Sequence, residues 1–467
     1  MIESPFPSRA GTSDSPPLGG TKGVAHSQAM CAAHAVAERL RMPQDVDRLT
    51  RQARARLPSN IQSPRWHPAQ LLVGHTGIAM LYSRLALDDA SWGKTAHAHL
   101  SAALPFVTTD TVGDLLLSAS LHSQSHGGYT NLLKRAAPAH ASAVRVSLER
   151  ISERLRVKGP GLAYPEYDLI SGLARSGRSL MAGASLGHAE SSDTLRDVLG
   201  LLAEMARPIQ AHGERVPGWW INPRLDLVPE ADKAAYPLGE FNLGIAHGIC
   251  GPLSLLALAH HAGHGLPHTL DAMRSMADWV MRKRLVGEHG MYWPGRVSFE
   301  EETGRSEGAA APVAPRSDWC YGTAGVARAL HLAGRALGDP DLTKAGVDAM
   351  RSIFQRLYES AEMPDATFCH GRAGILLTAV RMAADTGALE LWEGADRLAR
   401  ELARSFDPTT AFGYRYPLRP HANAPGLDEP GLLQGATGVA LTLLSYADAR
   451  CGSRLSPCTW DTALLMT

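Results

Sequence analysis

The sequence contains no C-x-x-C pair and only six cysteines in 467 residues. Zinc-ribbon and thioredoxin-like arrangements are thereby excluded, and the chain is not a disulfide scaffold. It has no excess of either charge. Its 46 basic and 46 acidic side chains cancel, so no global field draws it to nucleic acid or to an anionic membrane. Long apolar runs are missing too: stretches such as Gly251–Ala259 and Gly438–Leu444 fall well short of the roughly 20 residues of a membrane span. Residues 1–28, rich in Ser, Pro, Gly and Thr, lack the apolar core and charged flank of a secretory signal. They read as a disordered tail ahead of a single domain over 29–467, with the cytoplasm as the default location.

What is present is a repeat. The turns Gly74–Gly77, Gly248–Gly251, Gly322–Gly325, Gly371–Gly374 and Gly435–Gly438 share the pattern Gly-x-x-Gly, and each opens an aliphatic, alanine-rich segment. A degenerate copy starts at Ser171-Gly172, and His126-Gly127-Gly128 supplies a seventh unit. Segments that are apolar on every face are buried helices. Between them, Ala143–Val157, Thr194–Ala206, Thr269–Arg284, Ala345–Tyr358 and Leu391–Phe406 carry apolar residues at helical spacing and charge on the other face, as outer helices do. Inner and outer helices alternate with a period of roughly 45–75 residues, which predicts a helical repeat architecture, either an open solenoid or a closed ring. In a ring the glycine turns converge on one face. There the helix N-termini present free N–H groups and partial positive charge, suited to anionic sulfur or enolate oxygen. No strand precedes these turns and G-x-G-x-x-G is absent, so they are not a dinucleotide fingerprint.

The reactive residues sit on the turns. Cys320 and Cys369 occupy the same place in successive units, with His370 beside the second. A lone cysteine of this kind is ordinarily a packed one; the matched pair with an adjacent histidine points to a metal. Zinc suits two thiolates and an imidazole, with a fourth position open, although ligand type alone leaves copper in play. Cys31, Cys250, Cys451 and Cys458 have no such partners and are assigned to packing or surface. His247 lies on an earlier turn and is an acid–base candidate. Asp168, four residues before Gly172, is either a helix cap or a group at the same mouth, and Arg316 offers a guanidinium to an anionic intermediate.

Trp319–Gly322 (WCYG), Cys369–Gly371 (CHG) and Ala246–Gly248 (AHG), within Arg316–Gly322 and Asn242–Gly251 and together with Tyr167–Gly172, resemble the lanthionine synthetase C-like cyclases over about Leu71–Tyr446. The resemblance implies an all-α fold, an α/α toroid of seven inner and seven outer helices. It also implies one zinc ion held by Cys320, Cys369 and His370, with His247 and Asp168 as acid–base groups and Arg316 and Tyr321 lining the site. The implied activity is that of a free-standing cyclase. Cysteine thiols of a dehydrated precursor peptide add to dehydroalanine or dehydrobutyrine and form lanthionine or methyllanthionine, with a separate dehydratase and an exporter as prospective partners. Arg175 stands where the family favours a second glycine, and no strand cluster marks the β-rich insertion of some members. Three rival readings remain: a relative that adds glutathione to dehydrated proteins, a non-catalytic peptide-binding toroid, and an α/α-barrel glycosidase using Glu166, Asp168 or Glu240.

Overall fold

Seven helices start on the glycine turns or their equivalents: His75–Leu85, Val112–His126, Leu173–Ser185, Cys250–His261, Thr323–Leu337, Arg372–Thr386 and Ala436–Arg450. Each packs against the next, and the last packs against the first, so the row closes into a ring. The computed structural model describes residues 20–57, 65–305, 313–359, 364–418, 426–452 and 459–467. Outside the ring lie Gly20–Leu40, Gly93–Ala103, Thr130–Lys158, Ala189–Glu204, Pro267–Arg282, Pro340–Glu359 and Leu389–Arg404. The fold is all-α, an α/α toroid of seven inner and seven outer helices. Burial follows the sequence pattern. Every residue of His75–Leu85 is buried, whereas Leu389–Arg404 buries one face through Leu391, Ala395, Leu398, Ala399 and Leu402. No helix among the described residues is long and apolar enough to cross a membrane.

Three readings of the sequence change. Helix Gly20–Leu40 takes up residues 20–28 of the expected tail, and its Ala25, Ala29 and Ala33 are fully buried; residues 1–19 lie outside the described residues. A run of alanines satisfies a helix without displaying strong periodicity. This helix packs on Ala436–Arg450 and Leu389–Arg404, so the first helix described completes the last hairpin and closes the toroid. Second, His126-Gly127-Gly128 does not open a unit. It ends helix Val112–His126, and Gly127 and Gly128 take φ of +75° and +86°, positive values that glycine adopts without steric cost. That helix opens instead at Thr111, with no glycine pair. Third, the described residues include four two-stranded pairs, three of them within residues 209–298. Strands of two or three residues are too short for an alternating pattern to be visible. One of these pairs, Glu240–Asn242 with Arg296–Ser298, borders the mouth.

The paired glycines are required by close approach, not by positive φ. A Cβ on Gly322 would lie 2.5 Å from Asp318 backbone atoms, and one on Gly325 would lie 2.1 Å from the Trp319 carbonyl and 2.7 Å from the Ile245 side chain of the preceding turn. Gly374 meets the Phe368 carbonyl and Trp319 in the same way, at 2.2 and 2.8 Å. Each turn therefore nests on the second glycine of the next. A belt of backbone bonds ties the turns together: Leu169 N–H donates to the Ala246 carbonyl (3.1 Å), Ala246 to Cys320 (3.3 Å), Cys320 to Cys369 (3.3 Å), Cys369 to Leu433 (2.9 Å) and Leu433 to Leu72 (2.9 Å). Where the glycines fail, side chains take over. The Asp114 carboxylate accepts Leu71 N–H at 3.0 Å and pairs with Arg175 at 2.7 Å. The missing glycine at 175 is thus matched by the missing glycine turn before helix Val112–His126.

Candidate metal centre and acid–base pair

Counting back from the first glycine of each turn brings the reactive residues into one register. The position immediately before it holds His247, Tyr321 and His370 in three consecutive turns, and the position before that holds Ala246, Cys320 and Cys369. Since the turns are hydrogen-bonded side by side, equivalent residues become spatial neighbours. The sulfurs of Cys320 and Cys369 and a ring nitrogen of His370 all lie within 4.8 Å of one another, and both cysteines are buried. His370 Nε2 is 3.9 Å from Cys369 Sγ. Contact with Cys369 and then burial push the Cys320 thiol well up, while His370 pulls it back only in part. Two buried sulfurs closed off by an imidazole, one of them a thiol whose ionisation its surroundings oppose, form a donor set that a thiophilic cation suits. Zinc fits these residues.

His247 and Asp168 form the second element. Asp168 is fully buried, and its Oδ2 accepts from His247 Nδ1 at 2.6 Å. Its Oδ1 accepts the N–H groups of Ile170, Ser171 and Gly172 at 3.1, 2.7 and 2.9 Å. The carboxylate both ties down the turn before helix Leu173–Ser185, whose N-cap is Gly172, and partners His247. This bond assigns the proton to Nδ1 and leaves Nε2 without a hydrogen bond among the described residues. The His247 side chain is 34% exposed, so the ring reaches the mouth. Its backbone is anchored by the Tyr167 hydroxyl, which donates to the His247 carbonyl at 2.9 Å.

Tyr321 links the two halves. Its ring centroid lies 6.0 Å from that of His247, and its backbone follows Cys320 directly. Two guanidinium groups flank the ring, Arg316 at 5.4 Å and Arg296 at 5.9 Å, within cation–π range. Arg316 is bonded through Nε to Asp318 Oδ2 at 2.9 Å. Asp318 Oδ1 accepts Tyr321 N–H at 3.0 Å and the Cys320 thiol at 3.2 Å. Burial works against the Asp318 carboxylate, but Arg316 and these donors hold it below the usual carboxylate range.

All seven singled-out residues, Asp168, His247, Arg316, Cys320, Tyr321, Cys369 and His370, thus lie on four adjoining turns. Sequence reasoning missed Asp318 and Arg296, and it named Glu240 only as a glycosidase carboxylate. Asp318 stands four residues before Gly322, the register Asp168 holds before Gly172, and that match would have revealed it. Arg296 and Glu240 come from the short strand pair, which left no periodic signal. Glu240 is buried, with neither carboxylate oxygen in a well-formed hydrogen bond and Arg296 Nη1 at 3.3 Å. Burial pushes its carboxyl up to about 7 despite Arg296. As a glycosidase carboxylate it has no partner: Glu166 is tied to Arg154 at 2.7 Å and Asp168 is spent on His247.

A closed double ring of helices with a Cys–Cys–His donor set and a His–Asp pair at one mouth defines an α/α toroid with a candidate metal site. The family described as lanthionine synthetase C-like protein matches residues 65–454, and the chain belongs to that family. It is 23% identical over 341 residues to the nisin biosynthesis protein NisC of Lactococcus lactis subsp. lactis, a match spanning 71% of this chain and 78% of that protein. The solved structure of nisin cyclase superposes with a TM-score of 0.69 at 17% identity, covering 91% of this chain and 97% of that one. The second likeness is one of fold.

Proposed function

We propose that this protein is a zinc-dependent lanthipeptide cyclase. Its substrate is a dehydrated precursor peptide, and its reaction is intramolecular addition of cysteine thiols to dehydroalanine and dehydrobutyrine. The observation that carries this reading is the placement of a three-donor metal set beside a histidine whose tautomer is fixed by a buried carboxylate. Family membership and the biosynthetic role in the name of the NisC relative support it. Cys320, Cys369 and His370 would hold the zinc.

A free thiol has a pKa near 8.5 and is mostly protonated at neutral pH. Zinc, when bound, supplies the Lewis acidity that favours the thiolate. His247 Nε2, unprotonated while Nδ1–H is held by Asp168, takes up the thiol proton. A bond then forms between sulfur and the β-carbon as the carbon–carbon double bond becomes an enolate. Arg316, half-exposed at the mouth and fixed by Asp318, offsets the charge on the enolate oxygen. His247 returns the proton to the α-carbon, so nothing is oxidised or reduced and the mass is unchanged. Such a peptide is made in the cytoplasm, where the enzyme would work alongside a separate dehydratase and an exporter. Incubation with a dehydrated, cysteine-bearing peptide tests the reading. Free thiol should disappear at constant mass, and a thiol content that stays constant would refute it.

A further inference from the structure

Only the two cysteine-bearing turns carry an aromatic residue three places before the glycine. The equivalents of Trp319 and Phe368 are Leu71, Leu169, Ile245 and Leu432. The two rings meet edge to face at 5.3 Å. On the other side of Phe368 stands Trp460, 6.1 Å away at 81°. All three are fully buried or nearly so.

Trp460 belongs to the segment 459–467, which enters the ring and is sealed there: Asp461, Ala463, Leu464, Leu465 and Met466 are fully buried. Three inner helices grip it. Arg381 pairs with Asp461 through two bonds of 2.6 and 2.7 Å, Arg328 Nε donates to the Met466 carbonyl at 2.9 Å, and the Trp460 indole N–H donates to Ser445 Oγ at 2.9 Å. The helices bearing Arg328 and Arg381 begin at the Cys320 and Cys369 turns.

We infer that Trp460 is a positioning residue for the metal site, setting the separation of the Cys320 and Cys369 thiols through the stack Trp460–Phe368–Trp319. This rests on the reading of Cys320, Cys369 and His370 as zinc ligands. The backbone joins the two cysteine turns directly by one bond of 3.3 Å, Cys320 N–H to the Cys369 carbonyl, a single tether that does not by itself stop one turn rocking on the other. Close-packed rings under both cysteines remove that freedom, because interiors at crystal-like density resist compression. The indole is itself fixed by Ser445, so the reference point does not move.

The test is zinc affinity by chelator competition, with cobalt substitution as a second readout, since the sulfur-to-cobalt absorption band reports whether both thiolates coordinate. Trp460→Leu keeps an apolar side chain but ends the aromatic contact. It is expected to weaken zinc about 10- to 100-fold, the range typical of supports behind metal ligands, and to lower the cobalt band. Trp460→Phe should retain affinity close to wild type. Leu464→Ala loosens the same segment at a residue outside the aromatic stack and should leave affinity unchanged. If Trp460→Leu does not fold, Phe368→Leu breaks the stack at its middle and carries the same expectation. Unchanged zinc affinity in the stack-breaking variant, or an equal loss in Leu464→Ala, overturns the inference. Wild-type protein that binds neither metal overturns the ligand assignment itself, and this inference with it.

Discussion

At the scale of single residues, the proposed function divides labour between groups that would hold a metal and groups that would move a proton. His247→Asn removes the ring nitrogen facing the mouth but leaves Cys320, Cys369 and His370 untouched. Zinc content should stay at the wild-type level while turnover falls about 10²- to 10⁴-fold, the usual worth of a positioned acid–base group; parallel metal analysis and rate measurement check both. Glu240 offers a different test, because its carboxyl is raised to about 7 by burial. A folded-state value above the unfolded one means that the native chain binds the extra proton. The associated stability is present below about 4.5 and lost as pH rises through 7. Glu240→Gln keeps the neutral form permanently, so it should be more stable than wild type at pH 8 by about 3 kcal/mol and nearly equal at pH 5. Denaturant melts at the two pH values decide it.

At the scale of elements, the unit of construction is a glycine turn followed by a buried helix, each turn nesting on its neighbour. Gly325→Ala would drive a Cβ to 2.1 Å from the Trp319 carbonyl and displace the residue before Cys320. A loss of at least about 3 kcal/mol is expected, at the upper end for overpacking, together with weaker zinc binding; thermal melting and metal competition measure the two. This unit was legible because the Gly-x-x-Gly pattern recurs and the helix that follows is apolar all round. The register of Cys320, Cys369, His370 and His247 was legible for the same reason. What escaped were elements without a period. The outer helices Gly20–Leu40 and Gly93–Ala103 have weak amphipathic contrast in their alanine-rich runs, and the three-residue strands that bring Glu240 and Arg296 to the mouth are shorter than any alternation can reveal. The role of Arg175 was invisible for another reason. Its partner Asp114 lies 61 positions away, and only the closed ring brings them together.

At the scale of the whole molecule, the toroid turns residues far apart in the chain into one mouth: Asp168 and His370 meet a common opening because the turns that bear them are bonded side by side. The ring also buries neutral histidines. Burial holds His99 at about 3 and His140 at about 4, below the unfolded value near 6.5. Folded-state values below the unfolded ones mean that stability is complete above pH 6.5 and lost as pH falls toward 4. Several kcal/mol should therefore disappear across that interval, and wild-type melts between pH 7 and pH 4 should show a steep decline. The central claim is that Cys320, Cys369 and His370 hold one zinc ion on which thioether formation depends. Its most direct test follows zinc content and thiol consumption in the same preparation, before chelation, after it and after zinc is restored. The account predicts one zinc per chain in wild type, none in Cys369→Ala, and consumption of the peptide thiol that stops with chelation and returns with zinc. Full thiol consumption by zinc-free protein, or by Cys369→Ala, would contradict it.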